Sequence, residues 1–203
     1  VLSGDARQVI AEIDTGSELR ASRWARHKEV RLVQGQALFS VQSDPSTPFM
    51  VMAPGVTVRV LGTRFSVRHT KQGLFADHTV VAVEEGVVEV ISATSAQRLA
   101  AGEMVVVSPA GEMQWSQGQR LPDLLAWRSG RVVFNQATLG QVLDEFRRYG
   151  PVNVALDARI QQLKVGGTFQ TDQAEQFLQS LPALLPVSIV TEQGQRKIVP
   201  RAD

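Results

Sequence analysis

Cysteine is absent from all 203 residues, which removes disulfide frameworks, thiol nucleophiles and thiolate metal sites together. A cysteine-free chain suits an oxidising space as well as a reducing one, so the compartment stays open on that ground. Charge of one sign is also missing: 21 Lys and Arg face 20 Asp and Glu, a net charge of +1 without blocks of like charge. Nothing in that balance suits a nucleic-acid backbone or an anionic membrane. The most apolar runs, EMVVVSPAG and SLPALLPVSIV, are too short to cross a bilayer, and VLSGDARQVI lacks the basic and apolar regions of a signal peptide. No phosphate loop, dinucleotide fingerprint or nucleophile elbow occurs, which argues against an enzyme acting on an external substrate and leaves no cofactor to expect. The three histidines, His27, His69 and His78, have no metal-ligand spacing. What remains is a soluble chain, 43% hydrophobic, long enough to bury a core in one large domain or two small ones.

The two halves follow different patterns. From Val9 to about Ser108 short runs alternate apolar and polar side chains between turn residues: VIAEI, ELRAS, EVRLVQG, QALFSVQ, FMVMAPG, VTVRVLG, TRFSVRH, TVVAVEEG, VVEVISA and EMVVVS. These predict an all-β sandwich or coiled stack of antiparallel strands, with a hairpin at Glu85-Gly86. A composition change at WSQGQRLPDLLAW, Trp115 to Trp127, marks a linker or docking segment, with the two tryptophans as reporters of docking. The expected domains are 1–114, all-β; 115–126, linker; and 127–203, a small α+β domain.

In the last part Thr138 with Gln141 forms a capping box ahead of the apolar face Leu139, Val142, Leu143 and Phe146. Gly150-Pro151 stops this helix. A second helix is predicted after Thr171 or Asp172, with Ala174, Phe177, Leu178 and Leu181 on one face and an end near Pro182. Sliding this part against itself by 35 residues places Phe134 on Phe169, Leu143 on Leu178, Phe146 on Leu181 and Pro151 on Pro186. The repeat unit is strand, helix, Pro, strand, so two βαβ units and a closing strand at Arg196 to Val199 are expected.

Three features carry candidate function. Gly62-Thr63 interrupts VLGTRFSV. Gly there supplies an unusual φ or a bulge and Thr63 resumes the strand; alternatively the Thr63 hydroxyl attacks the Gly62 carbonyl, shifting the acyl group from nitrogen to oxygen, with His69 or His78 as proton donor. Asp77-His78-Thr79 does not suit acid–base work, because neighbours on a strand point to opposite faces and cannot converge on one reacting atom. Arg147, Arg148 and Tyr149 end the first helix, where the cations suit its dipole, and they also have the composition of a protein contact. Sheet edges near Lys164-Val165 and Arg196-Ile198 are candidates for pairing with a partner strand.

The blocks EVRLVQGQALFSVQSDPSTPF, VLGTRFSVR, TVVAVEEGVVEV and RLAAGEMVVV, from about Asp14 to Val107, closely resemble the FecR domain of periplasmic iron-signalling regulators of Gram-negative bacteria. WRSGRVVFNQATLGQVLDEFRRYGPVNVAL and LKVGGTFQTDQAEQFLQSL resemble the short N-terminal domain of secretins and TonB-dependent transporters, built of two βαβ units. The pairing is similar to the C-terminal signalling region of FecR-type anti-sigma factors. That resemblance implies the periplasmic region of a single-pass inner-membrane regulator, with its sigma-factor-binding part and membrane helix outside these residues. It implies a signal from the N-terminal signalling domain of a ferric-siderophore transporter, regulated proteolysis by a periplasmic protease, and, in some relatives, self-cleavage at the bond that here joins Gly62 and Thr63. A structural module of a secretin-like envelope assembly is the remaining alternative.

Overall fold

The structure is a computed structural model and describes residues 2–3, 9–24, 27–44, 48–116 and 120–201. Parts of the DPSTP loop and of the WSQGQR segment fall outside these residues, as does the side chain of His27. By contacts the chain divides into two compact units, the first comprising 1–71 and 75–125 and the second 72–74 and 126–203. Among the described residues no helix is long and apolar enough to cross a membrane.

The first unit is built of twelve strands: β1 (Leu2–Ser3), β2 (Val9–Ile13), β3 (Glu18–Trp24), β4 (His27–Val41), β5 (Phe49–Ala53), β6 (Val56–Val60), β7 (Thr63–His69), β8 (Thr79–Glu85), β9 (Val87–Ser92), β10 (Ala96–Ala100), β11 (Met104–Val107) and β12 (Met113–Trp115). EVRLVQG and QALFSVQ, expected as two strands, are one, and this strand organises the unit. Its first part pairs with β3 and β5, its second with β2 and β7. The change falls at Gly35, whose φ of +98° lets the strand bend without breaking. Two leaves follow from it: β1-β2-β4-β7-β8-β11-β12 and β3-β4-β5-β6-β9-β10. Pairing is antiparallel except between β4 and β5, which run parallel, a departure from the expected all-antiparallel stack. Inward side chains of both leaves, Phe39, Phe65, Val67 and Val83 from one and Leu32, Val51, Val58 and Val90 from the other, make one core in which each of these is fully buried.

The expected hairpin at Glu85-Gly86 is not there. β8 pairs with β7 and β11, whereas β9 pairs with β6 and β10. Gly86, at φ +84°, instead turns the chain from one leaf to the other. Alternation and a Gly turn announce where a strand ends, but not which strand lies beside it.

α1 (Leu121–Leu124), with Pro122 in its first turn, lies on the outside of the first leaf, Leu124 packing on Val80, Ala82 and Met104. A 3-10 turn (Ala126–Ser129) follows in the second unit. There β13 (Arg131–Thr138), α2 (Leu139–Arg147), β14 (Ala155–Leu156), β15 (Lys164–Gln170), α3 (Ala174–Leu184), β16 (Val187–Glu192) and β17 (Gln195–Pro200) follow.

Thr138 forms the capping box with Gln141, accepting from the Gln141 N–H at 3.2 Å while the Gln141 side chain accepts from the Thr138 N–H at 2.9 Å. Two further N–H groups of the first turn donate to Leu163 O and Gln161 O at 2.8 and 3.1 Å, so the ordinary orphan donors of a helix start find partners. Leu139, Val142, Leu143 and Phe146 are buried as the spacing predicts, each contributing about 1.5–3 kcal/mol of transfer free energy. The repeat is real in three dimensions. Phe134, Phe146, Phe169 and Phe177 form one aromatic cluster, with the Phe177 centroid 5.1 Å from those of both Phe146 and Phe169.

Two expectations need correction. α3 does not end at Pro182 but carries it inside and runs to Leu184. A proline in the last turn costs one helical hydrogen bond, and the burial of Leu178 and Leu181 outweighs it. The strands of each βαβ unit also do not share a sheet: β13 pairs with β15, while β14, β17 and β16 form a separate three-stranded sheet in that order.

Candidate functional site

The Gly62-Thr63 junction lies at a corner where the chain crosses between leaves, since β6 belongs to one and β7 to the other. Gly62 is neither a positive-φ residue nor a bulge; the nearby register shift falls between Arg64 and Phe65. Glycine is required by close approach: a Cβ at Gly62 would stand 2.5 Å from Ser43 Cα. The Asp44 N–H donates to Leu61 O at 2.8 Å, holding the two chains together. The second crossing point, Gly86, packs against the first, for a Cβ there would lie 2.6 Å from Thr63 Cγ2.

Thr63 does resume the strand, and its side chain is buried at 5% exposure with an Oγ1 that has no hydrogen-bond partner. Beside it is an open cavity of about 520 Å³ whose lining includes Ile10, Ser40, Ser43, Arg64, Glu85 and Gly86. The proposed proton donors are elsewhere. His69 is six residues further along β7, about 20 Å at the usual strand rise, and pairs there with Thr79. Its Nδ1 is 3.1 Å from Thr79 Oγ1, which donates to Pro54 O at 2.7 Å. That hydroxyl therefore accepts from His69, which places the ring proton on Nδ1. Burial lowers the His69 pKa, opposed by a hydrogen bond to the His78 backbone and by Asp77. His78 Nδ1 is 2.8 Å from Ala76 O. Asp77 and His78 precede β8 in a loop instead of lying on a strand, with Asp77 at φ +60°. Neither histidine is placed to serve Gly62-Thr63.

The end of α2 is more structural than its composition suggests. Glu145 is fully buried and takes Arg148 Nη1 at 2.6 Å on one oxygen and the Leu74 N–H at 3.1 Å on the other. The Arg148 side chain is 11% exposed, with its guanidinium 5.4 Å from the Tyr149 ring centroid. Arg147 is exposed, yet binds Asp144 at 2.6 Å and Val154 O at 3.1 Å. Sequence reasoning missed Glu145. Its only signal is a carboxylate on the helix face that also carries Val142 and Phe146.

The two candidate edges part company. Arg196 to Ile198 belongs to β17, which is the middle strand of its sheet, Lys197 and Ile198 being paired on both sides. Ile198 is fully buried, and Arg196 binds Glu175 at 2.8 Å; this is not an edge. Lys164-Val165 opens β15, which among the described residues pairs with β13 alone. Val165 points into the core, whereas Lys164, Gly166, Gly167, Thr168 and Gln170 are exposed. Beside β15 runs a cavity of about 300 Å³ lined by Thr168, Phe169, Gln173, Phe177 and Ser180, so the free strand is accompanied by a groove with an aromatic floor. Trp115 closes β12 at 48% exposure, and the Trp127 indole N–H is buried without a hydrogen-bond partner. Among the described residues no cluster of His, Asp and Glu could hold a metal ion.

Residues 7–89 match the model of the FecR protein family. No curated protein matches the chain significantly. Two crystal structures of a candidate anti-sigma factor from Parabacteroides distasonis ATCC 8503, at 1.65 and 2.50 Å resolution, share the fold with TM-scores of 0.81 and 0.80. Each is 22% identical, over 96% of this chain and 91% of theirs. Residues 7–89 are thus similar to the FecR protein family, and the chain as a whole shares its fold with these two crystal structures.

Proposed function

We infer that the chain is the signal-receiving region of an anti-sigma regulator. It works in the periplasm as part of a single-pass inner-membrane protein and recognises the N-terminal signalling domain of a TonB-dependent ferric-siderophore transporter. Through a sigma-binding part elsewhere in the protein, and with a periplasmic protease, it controls an extracytoplasmic-function sigma factor and iron-uptake genes. The observation that carries this reading is the FecR match over residues 7–89, joined to a whole-chain likeness to a candidate anti-sigma factor.

The recognition element is the free edge of β15. An added strand gains main-chain hydrogen bonds there, and the groove over Phe169 and Phe177 selects its side chains. Calorimetry of this chain against the signalling domain of the transporter encoded nearest to it tests the reading, with saturable binding near one to one expected. Lys164→Pro, at the first residue of the strand where proline is best tolerated, should weaken binding at least about tenfold with an unchanged circular-dichroism spectrum. Normal binding by that folded variant would exclude pairing at this edge, and a homomeric ring without transporter binding would favour a secretin-like structural role.

One observation favours a second reading, self-processing: the buried Thr63 Oγ1 beside Gly62 has no hydrogen-bond partner to hold it back. Intact mass after purification decides it, since scission at this bond must vanish in Thr63→Ala.

A further inference from the structure

The outer face of the first leaf carries two rows of side chains in register across four strands. In one, Gln36 lies opposite Arg68, Arg68 opposite Val80 and Val80 opposite Val106. In the other, Leu38 lies opposite Ser66, Ser66 opposite Ala82 and Ala82 opposite Met104. Gln36, Ser66 and Arg68 make the β4 and β7 side of this field polar, while Val80, Ala82 and Met104 make the β8 and β11 side apolar. All six are buried, although they point away from the core between the leaves.

α1 answers both sides of the field. Its Leu124 side chain packs on Val80, Ala82 and Met104, with Leu121 and Phe75 beside it. Its Leu124 carbonyl accepts from Gln36 Nε2 at 2.9 Å. The Gln36 amide is held in that orientation from behind. Arg68 Nη1 donates to Gln36 Oε1 at 3.3 Å, and since a guanidinium can only donate, the amide oxygen must face Arg68 and the amide nitrogen must face the Leu124 carbonyl.

The cover is nevertheless lightly built. α1 has four residues, Pro122 in its first turn and no side-chain cap from Arg120. Its backbone bonds run from the Asp123 and Leu124 N–H groups to Arg120 O and from the Leu125 N–H to Leu121 O, and the Arg120 to Asp123 ion pair is equally internal. These travel with the segment when it moves. The chain enters the second unit at Ala126, so tension along the chain from that side reaches α1 before it reaches any strand of the leaf. A permanent seam is made at less cost from apolar side chains, whereas buried amide, hydroxyl and guanidinium groups are the kind that take water readily once a cover leaves.

We propose that α1 is a latch, which lifts from this seat as one piece while the leaf beneath it stays folded. Gln36 is the catch, Arg68 positions it, and Leu124 is the tongue. Lifting opens the strip Val80, Ala82 and Met104 on β8 and β11 and turns Gln36, Ser66 and Arg68 to solvent. The device lies within the first unit and does not depend on the β15 edge or on the identity of a partner.

The test uses the absence of cysteine, which makes any introduced thiol the only one in the chain. Ala82→Cys places it under the latch, and Val67→Cys places it in the core between the leaves, both at fully buried positions. Under native conditions the first should react with an aromatic disulfide reagent at least about tenfold faster than the second, at a rate nearly flat in low urea, as local opening requires. Gln36→Glu keeps the shape and the oxygen toward Arg68 but replaces the donor to Leu124 O with an acceptor. It should speed labelling of Ala82→Cys about tenfold and leave Val67→Cys nearly unchanged, and Leu124→Ala should do the same. Equal labelling at the two positions, a rate at Ala82→Cys that follows global unfolding in urea, or an unchanged ratio of rates in both variants would each overturn the proposal. Lys164→Pro should leave these rates as they are, so failure here and failure at the β15 edge are separable.

Discussion

The two units reach a packed core by opposite routes. In the second, the residues that meet are mostly close in sequence: a capping box spans three residues, an apolar face repeats along one helix, and the same unit appears twice at an offset of 35. In the first, the decisive neighbours are distant. Val41 lies opposite Thr63, Arg59 opposite Glu89, and Gln36 reaches across 88 residues to Leu124. Local devices can be strengthened or weakened one at a time, whereas a corner where two crossings press on each other tolerates almost no change.

The largest effect tests the second unit's aromatic cluster. Phe146→Ala removes a fully buried ring that touches Phe134, Phe169 and Phe177, and should cost about 4 kcal/mol in urea unfolding. Next, one substitution compares the units directly. Gly62→Ala drives a methyl into the Ser43 backbone and should cost about 2–3 kcal/mol, with amide protection lost first around residues 41–44 and 61–64. Gly150→Ala meets open space and should be neutral or stabilising by about 0.5 kcal/mol. A similar loss at both positions would remove the distinction. Thr138→Ala deletes the cap of α2 and should cost about 1 kcal/mol, seen as faster exchange in that helix's first turn.

The smallest effect is pH-dependent and belongs to the first unit. Burial holds the His69 pKa below its ordinary 6.5, so the folded state binds fewer protons than the unfolded chain in that window. Stability from this group is fully present above about pH 6.5 and falls as pH drops towards the lowered folded value. The unfolding midpoint should therefore decline from pH 7.5 to pH 5.5, and His69→Phe should flatten that part of the profile. An unchanged slope in the variant would assign the decline to other groups.

What was legible in the sequence follows the same division. Both main helices, the capping box and the repeat were visible because period, cap chemistry and offset are local properties. Strand positions in the first unit were visible too, but their partners were not. The Glu85-Gly86 turn looks the same whether it closes a hairpin or sends the chain to another leaf, and β4 looks like two strands because Gly35 interrupts its alternation. For the candidate sites, Gly62-Thr63 stood out as a motif, yet the Ser43 approach that demands glycine is invisible without coordinates. So was the row Gln36, Arg68, Val80 and Val106, drawn from four strands. Arg196 to Ile198 misled because a short strand late in the sequence resembles an edge, whereas β14 comes back from forty residues earlier to cover it.

The position of β4 also governs time. As the chain emerges from the amino end, β4 has β3 and β2 beside it at once, but its other flank stays open until β5 and β7 have appeared, and the first leaf is not finished until β12 at Trp115. For the length of that delay a fifteen-residue strand must wait with one flank unpaired, and long-range pairing of this kind is slow. Residues 27–41 are therefore the stretch with most opportunity to pair with another chain before the leaf closes.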